Sequence, residues 1–208
     1  MVDISIVFPH LREKRNDQAL KIALECIVDN TALDYELMIE AVAARRDIYS
    51  VINDMARWAK SDWLVFSNSD VFFAPNWAEN LYFARDQHKI IGGVIVECGA
   101  IPVNERNYER NFGRTPQTFN RAAFEQFVTD SDIWRDNEPW YFPCLIHRPT
   151  FLALGGFDTD KGAFPDPLDM LFWDKWKTAG YTIQRVKSYC YHLQNYSSDE
   201  PGRIAAHV

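Results

Sequence analysis

Two hydrophobic periods alternate along this chain, and the switches between them outline its elements. Residues Ile4-Ser5-Ile6-Val7-Phe8 form a β-rich apolar run stopped by Pro9, which predicts a buried strand over 4–8. Ala19, Ile22, Ala23, Cys26 and Ile27 follow the i, i+3, i+4, i+7, i+8 spacing of a helix, with Asn16 or Asp17 as its N-cap. A second strand is predicted over 35–39. Ile48, Val51, Ile52, Met55, Ala56 and Ala59 mark a second helix, and Trp63-Leu64-Val65-Phe66 returns to strand. This β-α-β-α-β order implies parallel strands with right-handed crossovers, and so a layered α/β domain whose ligands gather at the carboxyl ends of the strands.

The second half is less regular. Residues 76–86 read as helix, 90–96 as a strand interrupted by Gly92 and Gly93, and 98–116 as a long loop carrying Arg106, Arg110 and Arg114. Then 119–128 looks helical, 141–146 extended, and 149–154 a short helix ended by Gly155-Gly156. The last helix has Asp166 as N-cap and Pro167 at its first position. Leu168, Leu171, Phe172, Trp176 and Ala179 lie on one face, Gly180 closes it, and a final strand covers 181–192. With no repeat or linker, the expectation is one α/β domain over 1–208, built on a mixed, mainly parallel central sheet flanked by helices.

Composition narrows the class. The 208 residues, 47% apolar and 25% charged, suit a single core that buries roughly 70% of the unfolded surface. No stretch approaches the ~20 apolar residues of a membrane span. Twenty-nine acidic against 22 basic residues give a net charge of −7, which argues against a sequence-independent grip on nucleic acid. A small phosphorylated ligand would need local Arg or Lys, or a divalent cation, to reverse the field. Cys26, Cys98, Cys144 and Cys190 form no C-x-x-C pair and read as buried, reduced thiols. Asp3 precedes the first apolar run without a basic segment, so no secretory signal is read and cytoplasmic residence is the default expectation. The chain's stop soon after His192 fits a domain cut from a longer chain.

Three places could carry chemistry. In Phe66-Ser67-Asn68-Ser69-Asp70 a strand ends in a carboxylate, where an α/β sheet presents a metal ligand to a bound phosphate; a strand-ending turn cap would also account for Asp70. In Gly155-Gly156-Phe157-Asp158 through Asp160, Asp166 and Asp169, the last is a capping-box residue by position. The helix dipole would equally keep it ionised as a general base. His192 among Tyr189, Tyr191 and Tyr196, and His10 after Pro9, fit packed histidines as well as ligands. No P-loop, G-x-G-x-x-G or G-x-S-x-G motif is present, so a bound diphosphate would be held by a cation and side chains, which favours Asp70 as a metal ligand.

In order, these pieces resemble the family 2 glycosyltransferases, with the A-type nucleotide-sugar fold. Ser5-Ile6-Val7-Phe8-Pro9 is similar to the family's first strand and Ile52-Asn53-Asp54-Met55-Ala56 to its R-N-x-G-x segment. Leu64 to Asp70 is similar to the strand ending in D-x-D. Leu145-Ile146-His147-Arg148 through Leu154-Gly155-Gly156-Phe157-Asp158 resembles its GGFD signature, and Asp169 through Ala179-Gly180-Tyr181 its E-D helix ending in A-G-Y. The resemblance implies a nucleotide-sugar-binding half over 1–97 and an acceptor and catalytic half over 98–208. By the same resemblance, Asp70 and His192 hold Mn²⁺ or Mg²⁺ at the donor diphosphate. Pro9, His10 and Glu40 line the nucleoside pocket, with Arg12 and Asn53 also on the nucleotide-sugar side. Asn68 faces the ribose or sugar, and Asp169 is the catalytic base.

Two departures matter: Asn68 replaces the first acid of D-x-D, and Leu168 replaces the Glu before the base, whose role Asp166 takes over in part. Inversion and retention both stay open. The implied activity is a metal-dependent glycosyltransferase moving a sugar from a UDP-linked donor to a hydroxyl of a glycan or glycoprotein. A sugar nucleotidyltransferase, or a non-catalytic sugar-binding module using Trp134, Trp140 and Tyr141, are the alternatives.

Overall fold

The computed structural model describes residues 1–11, 14–42, 47–100, 102–103, 105–134, 138, 142–159 and 168–194. The first five elements are β1 (Ile4–Leu11), α1 (Lys14–Asn30), β2 (Tyr35–Val42), α2 (Ile48–Trp58) and β3 (Trp63–Phe66), with β1 parallel to both β2 and β3. There follow β4 (Val71–Phe73), α3 (Trp77–Phe83), β5 (Lys89–Glu97), β6 (Tyr108–Glu109), a 3-10 turn (Pro116–Thr118) and α4 (Arg121–Asp130). The described chain closes with β7 (Cys144–His147), α5 (Arg148–Ala153), α6 (Leu168–Thr178) and β8 (Thr182–His192). The strands form one sheet in the order β2-β1-β3-β7-β5-β8-β4, with β6 beside β5. Only β4 and β7 run against the others, so the sheet is mixed and mainly parallel, as expected. The carboxyl ends of β1, β2, β3, β5 and β8 therefore share one edge of the sheet.

Alternate residues of the strands feed two cores. Ile4, Ile6 and Phe8 face Ala19, Ala23, Cys26 and Ile27 of α1, together with Trp77 and Leu81 of α3 and Phe124 of α4. On the other face, Val7, Leu64 and Phe66 pack with Val51, Ile52 and Met55 of α2, Phe151 of α5, and Phe172, Trp173 and Trp176 of α6. Each fully buried aliphatic or phenyl side chain contributes about 1.5–3 kcal/mol, so these two layers supply the main driving force for folding. All four cysteines are buried and free, and burial pushes the Cys26 thiol up to about 11. Among the described residues no helix is long and apolar enough to cross a membrane.

Several boundaries differ from the sequence pattern for identifiable reasons. Pro9 does not stop β1. Ser67 N–H donates to Val7 O (3.2 Å), so odd residues of β1 turn their amides toward β3, whose pairing has ended before Pro9 is reached; the missing N–H costs no ladder bond. Helix α1 begins at Lys14, so Asn16 and Asp17 are first-turn residues rather than caps, with Asn16 buried. The three-residue β4 is too short to show a period. The segment over 98–116 contains β6, and its arginines are engaged: the Arg110 guanidinium lies 4.6 Å from the Phe127 ring centre and Arg114 donates to Gly99 O (2.9 Å).

Candidate functional site

Strand pairing brings three ionisable side chains to one point on the carboxyl edge. Antiparallel pairing of β4 with β8 sets Val71 opposite His192, and the Leu193 N–H donates to Asp70 O (3.0 Å), which fixes Asp70 beside the end of β8. Parallel pairing of β5 with β8 sets Glu97 opposite His192. The result is a line of groups: Glu97 Oε2 accepts from His192 Nδ1 at 2.8 Å, and His192 Nε2 lies 3.8 Å from Asp70 Oδ1. Asp70 and Glu97 are buried and His192 is about a quarter exposed, 27% by side chain, so the imidazole is the accessible member. Burial alone pushes its pKa down. The Glu97 hydrogen bond and the charges of Asp70 and Glu97 outweigh that and raise it to about 9.

Such a site favours positive charge between Asp70 and His192. Their 3.8 Å gap is too long for a hydrogen bond, yet shorter than two metal–ligand bonds of about 2.0–2.2 Å end to end, so both donors can reach one divalent cation. Among the described residues no three His, Cys, Asp or Glu side chains are grouped to hold a metal unaided. Two protein donors completed by phosphate oxygens and water are an ordinary Mg²⁺-type arrangement, and the pair fits that chemistry.

The other expected residues divide. Pro9 and His10 end β1 at this edge and are buried; Glu40 pairs with Pro9 across β2 and is half-buried. His10 Nε2 is held by Asp17 Oδ1 at 2.8 Å, and its buried Nδ1 has no partner among the described residues. Asn68 is half-buried in the turn from β3 to β4, its carbonyl accepting from Val71 N–H (3.3 Å). Asn53 is buried on α2. Its carboxamide donates to Phe157 O (2.8 Å) and accepts from Phe157 N–H (2.9 Å), so it pins the Gly155-Gly156-Phe157 turn to α2. Gly156 is required there, with φ +68 and a would-be Cβ 2.4 Å from Asn53 Oδ1. Asp158 is paired with Lys175 of α6 (2.8 Å).

Asp169 falls in the first turn of α6, one turn before the buried Phe172 and Trp173; its side chain is outside the described set. Arg12, Asp160, Asp166, Trp140 and Tyr141 also lie outside the described residues, and Trp134 is exposed. Glu97 was missed by the sequence reading. Its signal was available in outline, since it ends an apolar run just as Asp70 ends another.

No family model and no curated protein sequence matches this chain. Solved structures do. The catalytic domain of Drosophila β1,4-galactosyltransferase 7 in complex with xylobiose gives a TM-score of 0.55 at 12% identity, covering 89% of this chain and 65% of that one. A mutant of the same enzyme, in complex with manganese, UDP-Gal and xylobiose, gives 0.53 at 12% identity over the same shares. GalNAc-T7 with UDP, GalNAc and Mn²⁺ gives 0.63 at 13% identity, covering 98% of this chain and 45% of that one. This chain thus spans less than two thirds of each of those structures. At such identities the likeness defines the fold, and the chain has the A-type glycosyltransferase fold.

Proposed function

We propose that this protein is a metal-dependent glycosyltransferase that transfers a sugar from a UDP-linked donor to a hydroxyl of a glycan or glycoprotein. The observation that carries the reading is the meeting of Asp70 and His192 at the carboxyl edge of an A-type sheet, backed by Glu97. Asp70 Oδ1 and His192 Nε2 would hold Mn²⁺ or Mg²⁺, and that cation, when bound, offsets the charge developing on the leaving diphosphate. Pro9, His10 and Glu40 line the nucleoside end of the edge, and Asn68 faces the ribose or sugar. Arg12, which follows β1 in sequence, is assigned to nucleotide-sugar binding by the family resemblance alone. Asp169 takes the proton from the acceptor hydroxyl, with Asp166 beside it in sequence, and the helix N-terminus keeps such a carboxylate ionised as a base should be.

The three solved structures support the donor class by what they contain: UDP-Gal and manganese in one, UDP, GalNAc and Mn²⁺ in another, and xylobiose in two. The test is a panel of UDP-sugars with Mn²⁺ and mixed glycan acceptors, read by UDP release and product mass. The Asp70→Ala variant is expected to lose metal-dependent donor binding, and Asp169→Asn to keep donor binding while losing transfer. Donor binding unchanged in Asp70→Ala would overturn the metal assignment. Pyrophosphate release from UTP and a sugar phosphate would replace the reading by a nucleotidyltransferase.

A further inference from the structure

We infer that Glu97 is a positioning residue for His192, and that Asn107 on the following segment locks Glu97 in that role. The inference rests on the proposed function, in particular on His192 as a cation ligand. An imidazole that ligates a cation is neutral and carries one proton; any second ring proton is displaced to solvent as the cation binds, and only the bare nitrogen ligates. Glu97 Oε2 sits 2.8 Å from Nδ1, so the carboxylate draws the proton there and leaves the Nε2 lone pair toward Asp70. The parallel register of β5 and β8 sets Glu97 directly opposite His192, so the contact is built into the sheet.

Glu97 is itself immobilised. Its second oxygen, Oε1, accepts from Asn107 Nδ2 at 2.8 Å, and both side chains are buried, at 5% and 4% exposure. The segment that carries Asn107 is tied down just after this contact. Arg110 N–H donates to Glu97 O (3.0 Å). Farther along, the Tyr191 hydroxyl accepts from Phe112 N–H (3.0 Å) and donates to Gly113 O (2.6 Å). The order Asn107, Glu97, His192, Asp70 is therefore a continuous line of polar contacts from the loop over 98–116 to the place where the cation would sit. That line fixes both the tautomer and the ring orientation of the ligand.

The experiment measures Mn²⁺ affinity in the presence of UDP by calorimetry, and the His192 ring nitrogens by ¹⁵N NMR in the metal-free protein above pH 9, where the imidazole, its pKa raised to about 9, is neutral. Glu97→Ala is expected to weaken Mn²⁺ about 10- to 100-fold and to let the His192 proton distribute over both ring nitrogens. Glu97→Gln, whose carbonyl still accepts from Nδ1, should lose less than Glu97→Ala, and Asn107→Ala should weaken Mn²⁺ in the same direction while leaving every proposed ligand in place. If Glu97→Ala does not fold, the Gln and Asn107 variants carry the comparison. Unchanged affinity and an unchanged His192 tautomer in folded variants overturn the inference. So does a Glu97→Gln as damaging as Glu97→Ala with the His192 tautomer intact, which would make Glu97 a direct ligand. An unaltered protein that binds no Mn²⁺ with UDP overturns the parent reading instead, and this one with it.

Discussion

Replacing Asn53 by alanine separates a structural pin from a nucleotide contact. The Asn53 carboxamide makes two hydrogen bonds with Phe157, at 2.8 and 2.9 Å, and both are buried. Removal leaves the Phe157 N–H and C=O without partners, and each buried orphan costs about 1–3 kcal/mol, so the expected loss is about 4 kcal/mol. In a domain of this size, with about 2–4 °C of melting temperature per kcal/mol, that is a fall of about 8–16 °C. Asn53→Asp should also destabilise, because a carboxylate still accepts from Phe157 N–H but faces its carbonyl oxygen. The assay is urea denaturation with the slope checked against the unaltered protein, followed by UDP titration of the folded variant. A loss below about 1 kcal/mol together with abolished UDP binding would refute the argument and return Asn53 to the nucleotide pocket.

Two other consequences are open to direct measurement. Tyr191→Phe removes the hydroxyl that holds Phe112 and Gly113, leaving a buried N–H, so it should cost about 1–3 kcal/mol and speed proteolytic nicking within 98–116; unaltered melting and nicking would sink the idea that this segment is strapped down. Burial alone would raise the Glu36 pKa, but hydrogen bonds from Ser5 Oγ and Lys60 N–H and the Lys60 charge bring it below its ordinary 4.5. A depressed folded-state pKa gives stability that is fully present above the unfolded-state pKa and is lost as pH falls through the folded-state one. Melting curves between about pH 3 and 6 should therefore drop less steeply toward acid in Glu36→Gln than in the unaltered protein, and identical slopes would contradict the assignment.

What could be read from sequence follows the range over which each signal acts. β3 was legible residue for residue, because Trp63 to Phe66 are apolar and bounded by polar turns. The face of α2 was equally plain, Val51, Ile52, Met55 and Ala56 all being buried as their spacing requires. Pro9 misled because its cost depends on which neighbour its amide would face, and that is set by where β3 stops. Asp70 and His192 were each singled out, yet their meeting comes from the antiparallel β4–β8 pair, and β4 left no periodic trace. Beyond closing the apolar run that ends at Val96, Glu97 carries no signal of its own in sequence, because its role exists only through the register with β8. The Phe157 contacts of Asn53 are invisible in sequence, because they join residues 104 positions apart.

Calorimetric titration of UDP, first with Mn²⁺ and then with a chelator, tests the central claim most directly. The Asp70 and His192 geometry predicts binding that requires the metal and is lost in Asp70→Ala. Binding that is equally tight in chelator, or no binding under either condition with GDP equally silent, would contradict it.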